Sequence, residues 1–459
     1  MSSSHPGHNP AAASSSPGAS SSGASAGSGA SSAAAADAAN SAQDLDALIS
    51  QHSSAIDEDY SFEAVPTQSR RSFWAVGFVM LGFTFFSASM SVGAKLGNGL
   101  NYSQYVWAVI IGGAILAVYT GSLGYIGAKT GLSFDLMSRH TFGRIGSYLP
   151  SALISFTQMG WFGVGVAMFG IPAAETLGIS PWPVVIVAGG LMTASAYFGI
   201  KAIEIVSFIS VPLIAVLGSY SMIAAVNDGG GLHAVFGQNQ GMTTVTAIGL
   251  VIGSFVSGGS ATPNFTRFAK TTTSAVITTV IAFFIGNTLM FSFGAVGGAF
   301  TGKDDIFYVM MAQGLLIPAL IVLGANIWTT NNNALYTTGL GYANITGVNK
   351  KPLVLIAGVI GTLGALWLYD NFVGWLSLLN ATLPPIGAVL VADYFARRKT
   401  YVTEGESATT IKWAPIVALV AGALTGWLTP GFGIVSINAM AVAILVYFVG
   451  SAIEKGIRR

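Results

Sequence analysis

The sequence predicts an all-α integral membrane protein with twelve transmembrane helices, and three observations carry that prediction. Only 8% of the 459 residues are charged and 52% are hydrophobic, against roughly 25% charged in an ordinary soluble domain. Apolar runs of about 20 residues recur from Phe73 onward, each long enough to cross roughly 30 Å of hydrocarbon at about 1.5 Å per residue. Lys and Arg gather in every second loop between those runs, the pattern of a cytoplasmic face.

Taken in order, residues 1–69 are rich in Ser, Ala and Gly, lack Lys and Arg, and carry an acidic patch at Asp57, Glu58 and Asp59. Such a composition buries too little apolar surface to fold and reads as a disordered cytoplasmic tail. It lacks the basic start and apolar stretch of a secretory signal. The spans follow at about 73–97, 104–126, 147–171, 182–200, 202–226, 242–262, 274–300, 307–342, 352–370, 371–393, 411–428 and 433–451. Ten of them fall within residues 70–400 and two within 401–459. Arg70 and Arg71 precede the first span, and Lys129, Arg139, Arg144, Lys201, Arg267 and Lys270 fill alternate loops after it. Lys350, Lys351, Arg397, Arg398, Lys399, Lys412, Lys455, Arg458 and Arg459 continue on the same side, and of 19 basic residues only Lys95 and Lys303 fall opposite. Both termini are therefore expected in the cytoplasm.

The composition also excludes functions. A net charge of +1 gives no basic excess to hold a nucleic acid polymer, and the absence of cysteine removes disulfides, thiolate zinc sites and cysteine nucleophiles. Acidic residues near the spans, Asp135, Glu175, Glu204, Asp370 and Asp393, lie at ends or in loops. A carrier of protons on a buried side chain needs an intramembrane carboxylate or imidazole, and a membrane enzyme needs acid-base, nucleophilic or metal residues. Both readings are disfavoured, as is a charged substrate. No obligate protein partner and no cofactor are evident; the lipid bilayer is the expected surrounding.

What the interior offers is small residues, amides, hydroxyls and large aromatics. Gly82 to Gly93 in the first span and Gly253 to Pro263 in the sixth are runs of weak helix formers. They read either as helices broken at mid-depth, exposing carbonyls to a ligand, or as small-residue faces for close packing. In the third span Gln158 and Trp161 are three residues apart and share a helix face. In the eighth, Asn326, Thr329 and Thr330 follow the i, i+3, i+4 pattern. Neutral oxygens so grouped suit a hard monovalent cation, and equally suit hydrogen bonding between helices.

Several long runs resemble the bacterial cytosine permeases of nucleobase-cation symporter family 1. They include Phe78-Val79-Met80-Leu81-Gly82, Thr84-Phe85-Phe86-Ser87-Ala88-Ser89-Met90, Gly124-Tyr125-Ile126-Gly127-Ala128-Lys129, Gly160-Trp161-Phe162-Gly163, Asn326-Ile327-Trp328-Thr329-Thr330-Asn331 and Asn371-Phe372-Val373-Gly374-Trp375. The resemblance implies a leucine-transporter-like fold: an inverted five-plus-five repeat with discontinuous first and sixth helices, plus two further helices. It implies a substrate between Trp161 and Phe255, read by Gln158 and Asn326, with Ser254 and Ser257 nearby. It implies sodium held by the carbonyls of Gly82 and Phe86 and by Asn326, Thr329 and Thr330, so that Asn326 touches both ligands. Two positions depart from the family pattern, where Asn332 and Asn264 stand in place of acidic residues.

The function this implies is secondary active import of cytosine with a cation, sodium, across the cytoplasmic membrane by alternating access. Alternatives are another nucleobase or related ring (a purine, uracil, hydantoin), proton coupling, or, in a different class, a nucleobase receptor or passive channel.

Overall fold

In a computed structural model the chain is described over residues 59–237, 241–403 and 409–457, and every regular element among them is a helix. The first run is α1 (Phe73–Thr84) and α2 (Ser87–Gly99), bent by 48° at Phe85 and Phe86. α3 (Tyr102–Thr130) begins at a capping box in which Asn101 and Gln104 exchange hydrogen bonds. After the short α4 (Phe134–Phe142) come α5 (Tyr148–Leu177), α6 (Pro181–Ala196), α7 (Ile200–Asp228) and α8 (Leu232–Phe236). α9 (Thr244–Ser260) is followed by the single turn α10 (Pro263–Thr266) and by α11 (Thr272–Thr301), which has a π-helical stretch at Ile281–Gly286. α12 (Ile306–Ala312) and α13 (Leu316–Thr346) precede α14 (Lys350–Leu363), α15 (Ala365–Asp370), α16 (Phe372–Thr382) and α17 (Pro384–Arg397). α18 (Trp413–Leu428) and α19 (Val435–Ile457) pack on each other and against α17.

Each apolar run of the sequence thus contains helix. Among the described residues seven spans are long and apolar enough to cross a membrane, eight with the bent pair α1 and α2, while α6 and α18 are shorter apolar helices. Large apolar side chains such as Trp74, Val118 and Leu428 lie exposed on the outside, where hydrocarbon rather than water is the solvent.

Two expectations about helix breaks are corrected. The sixth span is not interrupted at mid-depth: α9 runs unbroken through Gly253–Ser260, and the chain leaves the helix only at Ala261 and Thr262, before Pro263. Its serines turn their hydroxyls back on the helix, Ser254 to Val251 O (2.8 Å) and Ser260 to Val256 O (2.9 Å), and its glycines serve close packing, Gly258 on Phe83 and Gly259 on Thr120. The eighth run is two helices, because the chain turns at Gln313 and Gly314 between α12 and α13.

Close packing also joins α2 to α11. Gly93 and Gly97 meet the backbone carbonyls of Phe291 and Ala295, and Gly294 and Gly298 meet Met90 and Ala94. Small residues four apart on both helices let the two backbones touch.

The predicted tail lies outside the described residues as far as Glu58, but its last stretch is corrected: Asp59, Ser61 and Val65 are buried against the helices. Val65 N donates to Gly131 O at 2.9 Å, and Gly131, at φ +74°, faces the Val65 carbonyl where a side chain would clash. Asp59 pairs with Lys350 at 2.5 Å. Arg267, fully buried, donates to the carbonyls of Asp59 (2.6 Å) and Tyr60 (2.8 Å) and to the Tyr336 hydroxyl (3.1 Å). Buried cations are tolerated only with such partners, so residues 59–71 form a strap that closes the face bearing the basic loops. Beside it, burial pushes the Asp135 carboxyl up to about 6 despite a hydrogen bond from Ser151 and the nearby charges of Arg267 and Arg139.

Candidate functional site

The break in the first span organises the site. α1 ends where Thr84 turns its hydroxyl back to Met80 O (3.2 Å), and Phe86 is extended (φ −125°, ψ 128°) before α2 resumes at Ser87. A helix end leaves backbone donors and acceptors without partners, which a membrane interior cannot supply. Asn326 of α13 supplies them: its Oδ1 accepts from Ser87 N (2.9 Å) and its Nδ2 donates to Phe85 O. One turn further, Thr330 Oγ1 donates to Gly82 O (3.3 Å). The i, i+4 spacing read from the sequence therefore does face the break. Thr329 lies beside it, its hydroxyl hydrogen-bonded to Ser210 of α7 at 2.6 Å.

The Phe86 carbonyl accepts from Ser89 N (2.9 Å) in the first turn of α2, and the Phe85 carbonyl accepts from Asn326 Nδ2. Sequence reasoning also missed Ser207 of α7, which packs against Gly82 with its hydroxyl buried and unpartnered. The signal that could have found it is the pair Ser207 and Ser210, three apart in an otherwise apolar span. The oxygens gathered here are all neutral, a donor set that fits a hard monovalent cation and not a soft metal.

Next to the break is a cavity of only ≈ 10 Å³, lined by Phe86, Gln158, Trp161, Ser254 and Phe255 together with Thr330. Its walls are aromatic edges: Trp161 meets Phe86 (5.7 Å between ring centres) and Phe372 (6.0 Å), and Phe255 meets Phe83 (5.7 Å). Gln158 Nε2 donates to Ser257 Oγ at 2.8 Å, so Ser257 stands one bond behind the cavity, while Gln158 Oε1 is buried with no partner. Four of the expected substrate residues thus line one space. The Asn326 amide is instead committed at both ends to the helix break. Asn331 and Phe83, which line the same cavity, were not anticipated.

On the face opposite the strap a vestibule of ≈ 410 Å³ is lined by Lys95, Asp304, Asp305, Asn371 and Phe372. Phe372 separates it from Trp161. Burial raises the Asp305 carboxyl above its ordinary value. The remaining carboxylate of interest, Asp393, is far from this chemistry: it accepts from Thr141, Arg397, Tyr401 and Tyr447 in a saturated cluster. Asn332 faces α6, accepting from Ser195 at 2.7 Å, and Asn264 caps the start of α4 by accepting from Phe134 N at 2.8 Å. Neither lines the cavity.

A family model and a related sequence show the family, and solved structures show the fold. Residues 64–450 match a family described as permease for cytosine/purines, uracil, thiamine, allantoin. The cytosine permease of Escherichia coli (strain K12) is 50% identical over 399 residues, covering 86% of this chain and 94% of that protein. The hydantoin permease of Microbacterium maritypicum is 22% identical, covering 81% and 85%. Among solved structures, a nucleobase-cation-symport-1 family transporter in a closed conformation with bromovinylhydantoin bound superposes with a TM-score of 0.73 at 19% identity, covering 85% of this chain and 94% of that one. A Na+-coupled sialic acid symporter superposes with a TM-score of 0.65 at 13% identity, covering 84% and 90%. These likenesses fix an all-helical integral membrane transporter fold.

Proposed function

We propose that this chain, which belongs to the family of permeases for cytosine/purines, uracil, thiamine and allantoin, imports cytosine with a cation by alternating access. It is a transporter and not an enzyme. The observation that carries the substrate reading is the Gln158 carboxamide, with Nε2 committed to Ser257 and Oε1 buried without a partner. That oxygen suits the exocyclic amino group of cytosine. The same edge of uracil would set a carbonyl oxygen against it and leave two acceptors opposed, a costly mismatch in a dry site. Trp161 and Phe255 line the same cavity, and once the walls part their rings would stack on a neutral base. Because the cavity is smaller than the base, binding requires the aromatic walls to part and close again around it.

Gln158→Leu is expected to weaken cytosine binding by about 10- to 100-fold, the cost of one lost buried hydrogen bond, and to remove the acceptor–acceptor mismatch that disfavours uracil. Unchanged cytosine affinity would remove the role given to the carboxamide.

The coupling ion in this reading is sodium, held by Gly82 O, Phe86 O, Asn326, Thr329 and Thr330. Support comes from the neutral oxygens converging at the break, with no carboxylate among the described residues that line the adjoining cavity. Thr330→Ala is expected to raise the sodium concentration for half-maximal uptake about tenfold, as loss of one ligand worth about 1.4 kcal/mol would. Uptake equally responsive to sodium after that change would contradict the site.

In this reading α1 to α17 make ten spans in two five-span repeats of opposite topology, and α18 and α19 add the last two. The strap, the basic loops and both termini face the cytoplasm, so the described state is closed inward with its vestibule outward. The direct test is uptake of radiolabelled cytosine into liposomes under an inward sodium gradient, then under an inward proton gradient without sodium. Accumulation with sodium alone supports the proposal, accumulation with protons alone replaces the ion, and accumulation of another base in a competition panel replaces the substrate. Equilibration without accumulation would indicate a channel, and binding without uptake a receptor.

A further inference from the structure

Two cavities on the outside of the helical bundle meet at Ala396 and Phe448. The first is an apolar groove of ≈ 770 Å³ between α3, α17 and α19, walled by residues such as Val118, Ala392 and Ile444. Val118 and Phe395 on its rim are among the exposed apolar side chains, so the groove opens to hydrocarbon. The second, of ≈ 420 Å³, is lined by Arg397, Lys412, Lys455 and Glu454. It lies where α17 and α19 end and α18 begins, on the face that carries the Lys- and Arg-rich loops.

Among the described residues the charges there are three cations, Arg397, Lys412 and Lys455, against two carboxylates, Glu454 in the wall and Asp393 behind Arg397, which leaves one positive charge in excess. Arg397 is bound to the buried Asp393, Lys412 Nζ donates to His140 O at 2.6 Å, and Glu454 is turned to Ala414 N at 2.9 Å. The pocket keeps a positive excess beside an apolar channel, the two halves of an amphiphile with a negative head. Basic pockets between membrane helices on the cytoplasmic side hold anionic lipid heads. We propose that groove and pocket together bind one anionic phospholipid, an acyl chain lying between α3, α17 and α19 and the phosphate at Lys412, Lys455 and Arg397.

The test uses the full chain, stripped of lipid, in nanodiscs of phosphatidylcholine with or without phosphatidylglycerol, with bound lipid counted by native mass spectrometry and thermal stability read in parallel. One phosphatidylglycerol is expected to be retained, preferred about 30-fold over phosphatidylcholine, as two surface lysines would give. Lys455→Gln, at an exposed position, is expected to reduce that preference by about fivefold, and Ala392→Trp, which fills the groove, to displace both lipids. Lys412→Gln is expected to act like Lys455→Gln, and if loss of its His140 contact unfolds the chain the Lys455→Gln result stands alone. Equal retention of the two lipids, an unchanged preference in Lys455→Gln, or the same stabilisation by inorganic phosphate alone would overturn the proposal.

Discussion

Trp161→Ala is expected to abolish measurable cytosine binding, a loss of at least about 100-fold. Stacking of a base on an aromatic side chain is worth about 1–3 kcal/mol, and here the indole also props the cavity through its edge contacts with Phe86 and Phe372. Without it those rings collapse inward and the base loses both its platform and its slot. Trp161→Phe keeps a flat face of smaller area and is expected to lose about tenfold. Equilibrium binding of labelled cytosine to purified protein distinguishes the two. Affinity that survives in Trp161→Ala would remove ring stacking from the account.

Asn326→Ala is expected to be worse still, because it acts on the fold as well as the site. It strands Phe85 O and Ser87 N inside the protein, where each unpaired backbone group costs about 1–3 kcal/mol. The combined loss of about 2–6 kcal/mol corresponds to a fall of roughly 2–7 °C in melting temperature for a chain of this length, with transport absent. Asn326→Asp keeps an acceptor for Ser87 N but loses the donor to Phe85 O, so it should melt between the other two. Melting curves in detergent check the order. If Asn326→Ala melts like the parent protein, the side chain does not clamp the break.

Much of this was legible in the sequence because membrane spans are governed by local rules. Apolar length located the helices, and the 3.6-residue period put Asn326 and Thr330 on one common face, which the structure turns to the break. Helix rules also grouped Gln158 with Trp161. What was not legible depends on contacts between distant segments or on single torsions. Which carbonyl the Asn326 amide reaches, that of Phe85, turns on one extended residue, Phe86. Whether the sixth span breaks at its glycines or later depends on which helices press against Gly258 and Gly259. That Gln158 keeps one free acceptor follows from Ser257 on another helix. The strap at Asp59 was read as tail because its composition is polar, and composition does not reveal that Arg267 and Lys350 wait for it in the interior.

The backbone contact between α2 and α11 has a mechanical consequence. α2 and the part of α11 beyond its π-helical stretch, meshed through glycines at both Gly93 and Gly294, cannot slide or separate without tearing the mesh, so they behave as a single rod, whereas α1 is fastened to α7 and to α11 up to and including that stretch. Phe85 and Phe86 are then a joint, and motion of the carrier becomes rotation about one short link rather than bending of long helices. That rotation is an observable: the chain has no cysteine, so thiols introduced at the exposed Trp74 and Phe300 would carry a pair of spin labels whose separation tracks the angle of the joint through the cycle.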